Sequence, residues 1–172
     1  KQNFDRRGTE DREAKRELPG VPRATSMPFP FQIVQSANKI LMLYAFAGAV
    51  RAINLDTIPE STVDTWMGHS VARWEKDTLV VDVNAFTGQA WLDRAGNHHS
   101  DELKVTERYT MLGPDHMSYE ATLEDPKTFT RPWKISMPLY RNIDTRAHLV
   151  NYKCVEFSEE ILYGHLRKKP TP

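Results

Sequence analysis

The stretch Leu103-Lys104-Val105-Thr106-Glu107-Arg108-Tyr109-Thr110-Met111, followed by Leu112-Gly113-Pro114-Asp115-His116 and Met117-Ser118-Tyr119-Glu120-Ala121-Thr122-Leu123-Glu124, decides the fold. Side chains alternate across a β-strand, so odd and even positions belong to opposite faces. In the first segment Leu103, Val105, Tyr109 and Met111 share one face, while Lys104, Thr106, Arg108 and Thr110 take the other. Met117, Tyr119, Ala121 and Leu123 repeat the apolar parity in the second. Between them stand a glycine, a proline that sets φ and an aspartate that can bond its own backbone, which is the chemistry of a turn. Two amphipathic strands so joined predict an antiparallel hairpin.

The same signal recurs on both sides. Phe31–Gln35 and residues 39–55 flank Ser36-Ala37-Asn38. His69–Glu75 and residues 78–86 meet at Lys76-Asp77, a two-residue connection without the glycine that a primed turn prefers. Trp133–Tyr140 and residues 148–156 flank residues 141–147. About eight or nine strands in sequential hairpins predict an all-β, antiparallel sheet that closes or folds on itself to remove its edges. The expected architecture is an up-and-down barrel, lipocalin-like. A two-layer β-sandwich is the alternative, because periodicity alone does not distinguish the two.

Residues 1–22 are dense in charge and end on Leu18-Pro19-Gly20-Val21-Pro22, so they read as a charged N-terminal arm, mobile or peripherally attached. Residues 23–166 form the single barrel domain, and residues 167–172 are a basic tail. One domain fits a chain of 172 residues, and 40% hydrophobic residues suffice for a core without staples. Equal numbers of acidic and basic residues, 23 each, leave no global field for phosphate backbones, so nucleic acid is not an expected partner. No apolar run approaches the length of a membrane span. Cys154, the single cysteine, has no mate for an internal disulfide or a thiolate metal site. The chain opens on Lys1 with no leader pattern, so a presequence has been removed or the chain trimmed.

Glu107 breaks the pattern, since it shares the inward parity of its apolar neighbours. An inward carboxylate must be paired, hydrogen-bonded or protonated. It is read either as half of a structural pair with Arg51 or Arg73, or as a general acid or base in a cavity. His69 opens a strand, and the polar loop 91–100 places Asp93 and His99 where a carboxylate could orient a base. His69, Asp93, His99 and Glu107 are therefore the candidate catalytic set. Tyr44, Phe46, Arg73, Tyr109, Tyr119, Trp133 and Tyr152 are the candidate ligand-binding set, their aromatic rings either packing a core or lining a pocket for a hydrophobic molecule. His69, His99 and Glu107 are numerous enough for an open metal site, but their spacing matches no metal motif, and neither a metal nor another cofactor is expected. A nucleophile elbow, a P-loop and a dinucleotide fingerprint are all missing.

Several blocks together carry a resemblance: Leu18-Pro19-Gly20-Val21-Pro22-Arg23, Pro28-Phe29-Pro30-Phe31-Gln32-Ile33-Val34-Gln35, Trp66-Met67-Gly68-His69-Ser70-Val71, Arg73-Trp74-Glu75 and Asp77-Thr78-Leu79-Val80-Val81-Asp82. Over residues 18–156 the chain resembles a large group of uncharacterised bacterial proteins, often exported, with the signature TWMGHSxGRWEGDTLVVD. The resemblance implies an exported or periplasmic location, with the cytoplasm as the alternative, and it implies no activity. It places His69, Asp93, His99, Glu107, Glu124, Asp125 and Trp133 at motif positions. Ala45 and Gly48 stand where members often carry Glu and His, and the cysteine usual before the LPG block is missing near Arg16 and Glu17.

The function expected first is a cofactor-independent cyclase, isomerase or lyase that moves protons on a small hydrophobic substrate in an apolar barrel pocket. A non-catalytic carrier of a hydrophobic ligand is the alternative. A metal-dependent hydrolase ranks third.

Overall fold

The structure, a computed structural model, describes residues 11, 17–56, 61–150, 161–162 and 165. Eight strands follow one another in the chain: β1 (Phe31–Gln35), β2 (Lys39–Tyr44), β3 (Val50–Asn54), β4 (His69–Glu75), β5 (Thr78–Asn84), β6 (Lys104–Met111), β7 (His116–Glu124) and β8 (Trp133–Tyr140). They form one sheet in sequence order, mostly antiparallel and curled into a half-barrel. The all-β, barrel-like expectation is met, and the single sheet rules against the sandwich.

Four details differ from the expectation. The run 39–55 is two strands, because the chain turns through a 3-10 segment, η1 (Phe46–Gly48), where Ala47 and Gly48 take positive φ. This turn carries no polar signal because it is itself interior: Ala45, Phe46 and Ala49 are buried, and the Phe46 ring lies 5.1 Å from that of Phe29. Secondly, β3 and β4 run parallel, paired only at Ile53↔Ser70 and Asn54↔Val71. The end of β3 lies level with the start of β4, and the two strands run on in the same direction. Thirdly, β1 and β8 stand at opposite ends of the sheet order and do not pair, so the described strands leave the barrel open. Finally, residues 148–150 are not strand, and residues 151–156 of the expected last strand lie outside the described residues.

The remaining hairpins match. Lys76, with φ 55°, takes the left-handed conformation at the two-residue β4–β5 turn in the place of a glycine. Register fixes the faces. Ala72, Val81, Glu107, Ala121 and Ile135 make one row across β4 to β8, and Leu79, Tyr109, Tyr119 and Met137 make the next. These rows point to the concave side, where Val21, Ala24, Phe86 and Leu92 join them in one core. Each fully buried aliphatic side chain there contributes about 1.5–3 kcal/mol from apolar burial. Part of the charged arm is packed in as well. Asp11 is buried in an ion pair with Arg23 at 2.8 Å, the latter on the short helix α1 (Arg23–Ser26).

The convex side of β4 to β8 is charged. Arg73 bonds Asp82 and Glu75, Arg108 bonds Glu75 at 3.0 Å, and Lys134 bonds Glu120 at 3.1 Å. Val80, flanked in register by Arg73 and Arg108, is fully buried beneath them.

Candidate functional site

Glu107 lies in the middle of the concave face with no exposure to water. Arg51 Nη2 donates to its Oε2 at 2.5 Å, and the hydroxyls of Tyr119 and Tyr109 donate to Oε1 at 2.7 and 3.0 Å. Arg51 Nε donates to Ser70 Oγ at 2.9 Å. Arg51 Nη1 is buried and makes no hydrogen bond among the described residues. Burial alone would favour the neutral guanidine, yet the Glu107 carboxylate beside it holds Arg51 protonated beyond its ordinary range. Burial first, and then the Glu107 charge, push the Tyr109 and Tyr119 hydroxyls well above the usual tyrosine value. Tyr44 is also raised, chiefly by burial, and its hydroxyl lies 3.1 Å from Thr25 Oγ1 on α1.

This cluster is an ion pair with a tyrosine collar. A carboxylate that already accepts three donors is poorly placed to take a proton from a substrate. Glu107 does face the interior, as its parity requires, and its partner is Arg51. Arg73, the other arginine considered and one of the candidate ligand residues, is on the opposite, convex face and about half exposed. Its strand parity, shared with His69 and Val71, points away from the core.

The other catalytic candidates are dispersed. His69 begins β4 opposite Asn84, and its Nε2 is buried without a hydrogen-bond partner among the described residues. Asp93 organises its own loop, accepting from the backbone N–H groups of Ala95 (2.8 Å) and Asn97 (3.2 Å) and from the Asn97 side chain. His99 is buried against Phe86, and its Nδ1 lies 2.8 Å from the Ser100 carbonyl, which makes Nδ1 the protonated nitrogen. Burial pulls the His99 pKa below 6.5, only partly offset by that hydrogen bond. No hydrogen bond, ion pair or ring contact joins any two of His69, Asp93, His99 and Glu107. The carboxylate near His99 is Asp125, whose oxygens accept from the Ser100 N–H (2.6 Å) and hydroxyl (2.7 Å). Burial raises the Asp125 pKa, but the donors from Ser100 outweigh it and hold this carboxyl below the ordinary value.

Of the candidate ligand residues, Tyr44, Tyr109 and Tyr119 belong to the collar, and Phe46 is buried in the β2–β3 turn. Trp133 is partly exposed on β8 and meets the Phe129 ring edge-on at 5.6 Å. Tyr152 lies outside the described residues. Among the described residues no three His, Cys, Asp or Glu side chains converge as metal ligands.

A cleft of about 590 Å³ opens at the end of β5, β6 and β7. Asn84, Lys104 and Glu124 line it from the strand ends, Lys104 and Glu124 being register partners. Asp64, Asp101 and Glu102 add charge, and the loop from Asp125 to Pro132 supplies Phe129 and Arg131. Five carboxylates thus face two cations of the lining. Asp101 and Glu102 are tied to Lys127 at 3.0 and 3.1 Å, and Asp125 to Ser100. Asp64, Glu124, Lys104 and Arg131 make no ion pair among the described residues. Sequence reasoning missed this site because its residues are outward-facing strand ends and loop positions. The available signals were the motif positions that the resemblance gives Glu124 and Asp125 and the proline-flanked loop after β7. No family model, no curated protein and no solved structure matches the chain.

Proposed function

We propose that the protein is a binding module without a reaction of its own, and that its ligand is a small organic cation with an apolar body held in the cleft beside Phe129. The observation that carries this reading is the saturation of Glu107 by Arg51, Tyr109 and Tyr119. It makes the inward acid an anchor of the fold, while the cleft at the ends of β5, β6 and β7 stays open to a ligand. The volume of that cleft is in the range of small-molecule sites. Counting Lys127 on Asp101 and Glu102, the five carboxylates at the cleft meet three cations, and the two remaining negative charges favour a cationic ligand, with Phe129 offering an aromatic ring to its apolar body or to the cation itself. A cyclase, isomerase or lyase has less support, because its four acid–base residues do not converge. Export belongs to the same proposal and rests on the resemblance alone.

Fluorescence titration with rhodamine 6G, a cationic aromatic dye, tests the reading against anilinonaphthalene sulfonate, an anionic one. The cation is expected to bind more tightly and to lose affinity about tenfold in Phe129→Ala. Equal binding of both dyes, or cation binding that survives Phe129→Ala and Glu124→Gln together, would overturn the assignment.

A further inference from the structure

We propose, on the basis that the cleft binds a small organic cation, that this ligand also carries a carboxylate: it is an α-amino acid with an apolar side chain, its ammonium on Glu124 and its carboxylate on Lys104. Lys104 on β6 and Glu124 on β7 face one another in register at the strand ends that line the cleft. Directly opposed residues of neighbouring strands have Cβ atoms about 5 Å apart, close enough for a lysine and a glutamate to meet. Yet these two make no ion pair. The rest of the convex face of β4 to β8 behaves otherwise. Arg73 is bonded to Asp82 and, at 3.0 Å, to Glu75, Arg108 to Glu75 at 3.0 Å, and Lys134 to Glu120 at 3.1 Å. Among the described residues, every other lysine, arginine, aspartate and glutamate of that face is paired. The two left open are the two at the cleft.

An α-amino acid matches that arrangement. Its ammonium and carboxylate sit on one carbon, so both reach partners a single strand spacing apart, about 5 Å. A simple amine would satisfy Glu124 and set a like charge beside Lys104. A simple acid would meet Lys104 but face the surplus of carboxylates. Asp101 and Glu102 do not compete for the ammonium, because Lys127 holds them at 3.0 and 3.1 Å, and Asp125 is engaged by Ser100. Asp64 and Arg131 add one further charge of each sign to the lining, and Phe129 and Pro132 give apolar surface for the side chain. An exposed ion pair contributes little by itself, so recognition depends on making both contacts at once.

Isothermal titration calorimetry of the full chain with L-phenylalanine, phenethylamine and 3-phenylpropionate separates the contacts, since the three share a ring and differ in their charges. Phenylalanine should bind about tenfold more tightly than phenethylamine, with phenylpropionate weakest. Lys104→Met should abolish that advantage by lowering the affinity for phenylalanine while phenethylamine binding is kept. Lys134→Met removes the same charge from the same face at a lysine paired with Glu120, and should leave the preference in place. Phenylalanine binding no tighter than phenethylamine, or an advantage that survives Lys104→Met, would overturn the proposal and leave the cation site standing. Rhodamine 6G binding without phenylalanine binding would do the same. Failure of rhodamine 6G and of all three ligands to bind would overturn both.

Discussion

Arg51 on β3 and Glu107 on β6 are 56 positions apart in the chain, yet Nη2 and Oε2 lie 2.5 Å from each other with both side chains shielded from water. Two strands separate them in the sheet. Between those strands lies the parallel β3–β4 step, held by only two register pairs, whereas the neighbouring antiparallel β4–β5 pair has seven. The arginine spans that short ladder. Its Nε is bonded to Ser70 on β4 and its Nη2 to Glu107 on β6, so one side chain ties three strands across the weakest junction of the half-barrel.

Removing one partner should therefore be far worse than removing both. Glu107→Gln leaves a buried guanidinium without its counter-charge, and Arg51→Met leaves a buried carboxylate, each costing about 3–5 kcal/mol. The double variant Arg51→Met with Glu107→Leu replaces the pair by apolar groups and should recover most of that loss. Urea unfolding midpoints of the three variants check the cycle. Additive single losses would mean that the two groups do not act as a pair.

The acid side of the stability profile should show His99. Its folded pKa is depressed by burial, so the native state binds fewer protons at this site than the unfolded chain. The contribution is complete above the ordinary value of 6.5 and declines as pH falls below it, until the folded histidine also protonates. Urea midpoints from pH 8 to pH 5 should fall more steeply for wild type than for His99→Gln. Parallel curves would remove His99 from the account.

Much of this was legible in the chain because parity is a local property. Glu107 declared itself inward by sitting among Val105, Tyr109 and Leu103 at a spacing of two, and the rows of β4 to β8 followed from the same counting. What parity does not encode is closure of distance between strands. Arg51 and Arg73 were both possible partners, and only the register, which puts Arg73 level with Val80 and Arg108 on the convex face, separates them. The β2–β3 turn was hidden because a buried turn is built from Ala and Phe instead of polar residues. Asp93 and His99 share a loop, but Asp93 spends its oxygens on its own turn and His99 packs on Phe86. Sequence proximity did not imply contact.

Gly68 offers a sharper steric test. It takes φ +70° just before β4, and a Cβ added there would come within 2.7 Å of Val83 Cγ1, 2.8 Å of Phe86 Cε1 and 2.9 Å of the Asn84 carbonyl. Gly68→Ala should lose about 1–3 kcal/mol from the left-handed backbone and a similar amount from the clash. Gly113, where the nearest atoms belong to the exposed His116 side chain, is the control and should tolerate alanine with little change. Thermal unfolding of the two variants side by side decides it. Equal midpoints would show that the β4 entry relaxes around the added methyl.

On the alkaline side the tyrosine collar should govern. Tyr44, Tyr109 and Tyr119 are raised above 10.0 chiefly by burial, with the Glu107 charge adding to it in each, so the folded state holds their protons after the unfolded chain would release them. Their contribution is fully present below pH 10.0 and is lost as pH climbs through and beyond it. Absorbance at the phenolate band should thus show a late phase that coincides with loss of near-UV circular dichroism. Tyr119→Phe should remove part of the late phase, and it should also cost about 1–3 kcal/mol at neutral pH, because Glu107 loses its 2.7 Å donor. A single phase near pH 10 with the fold intact would mean that these hydroxyls ionise in place, which the carboxylate between them forbids.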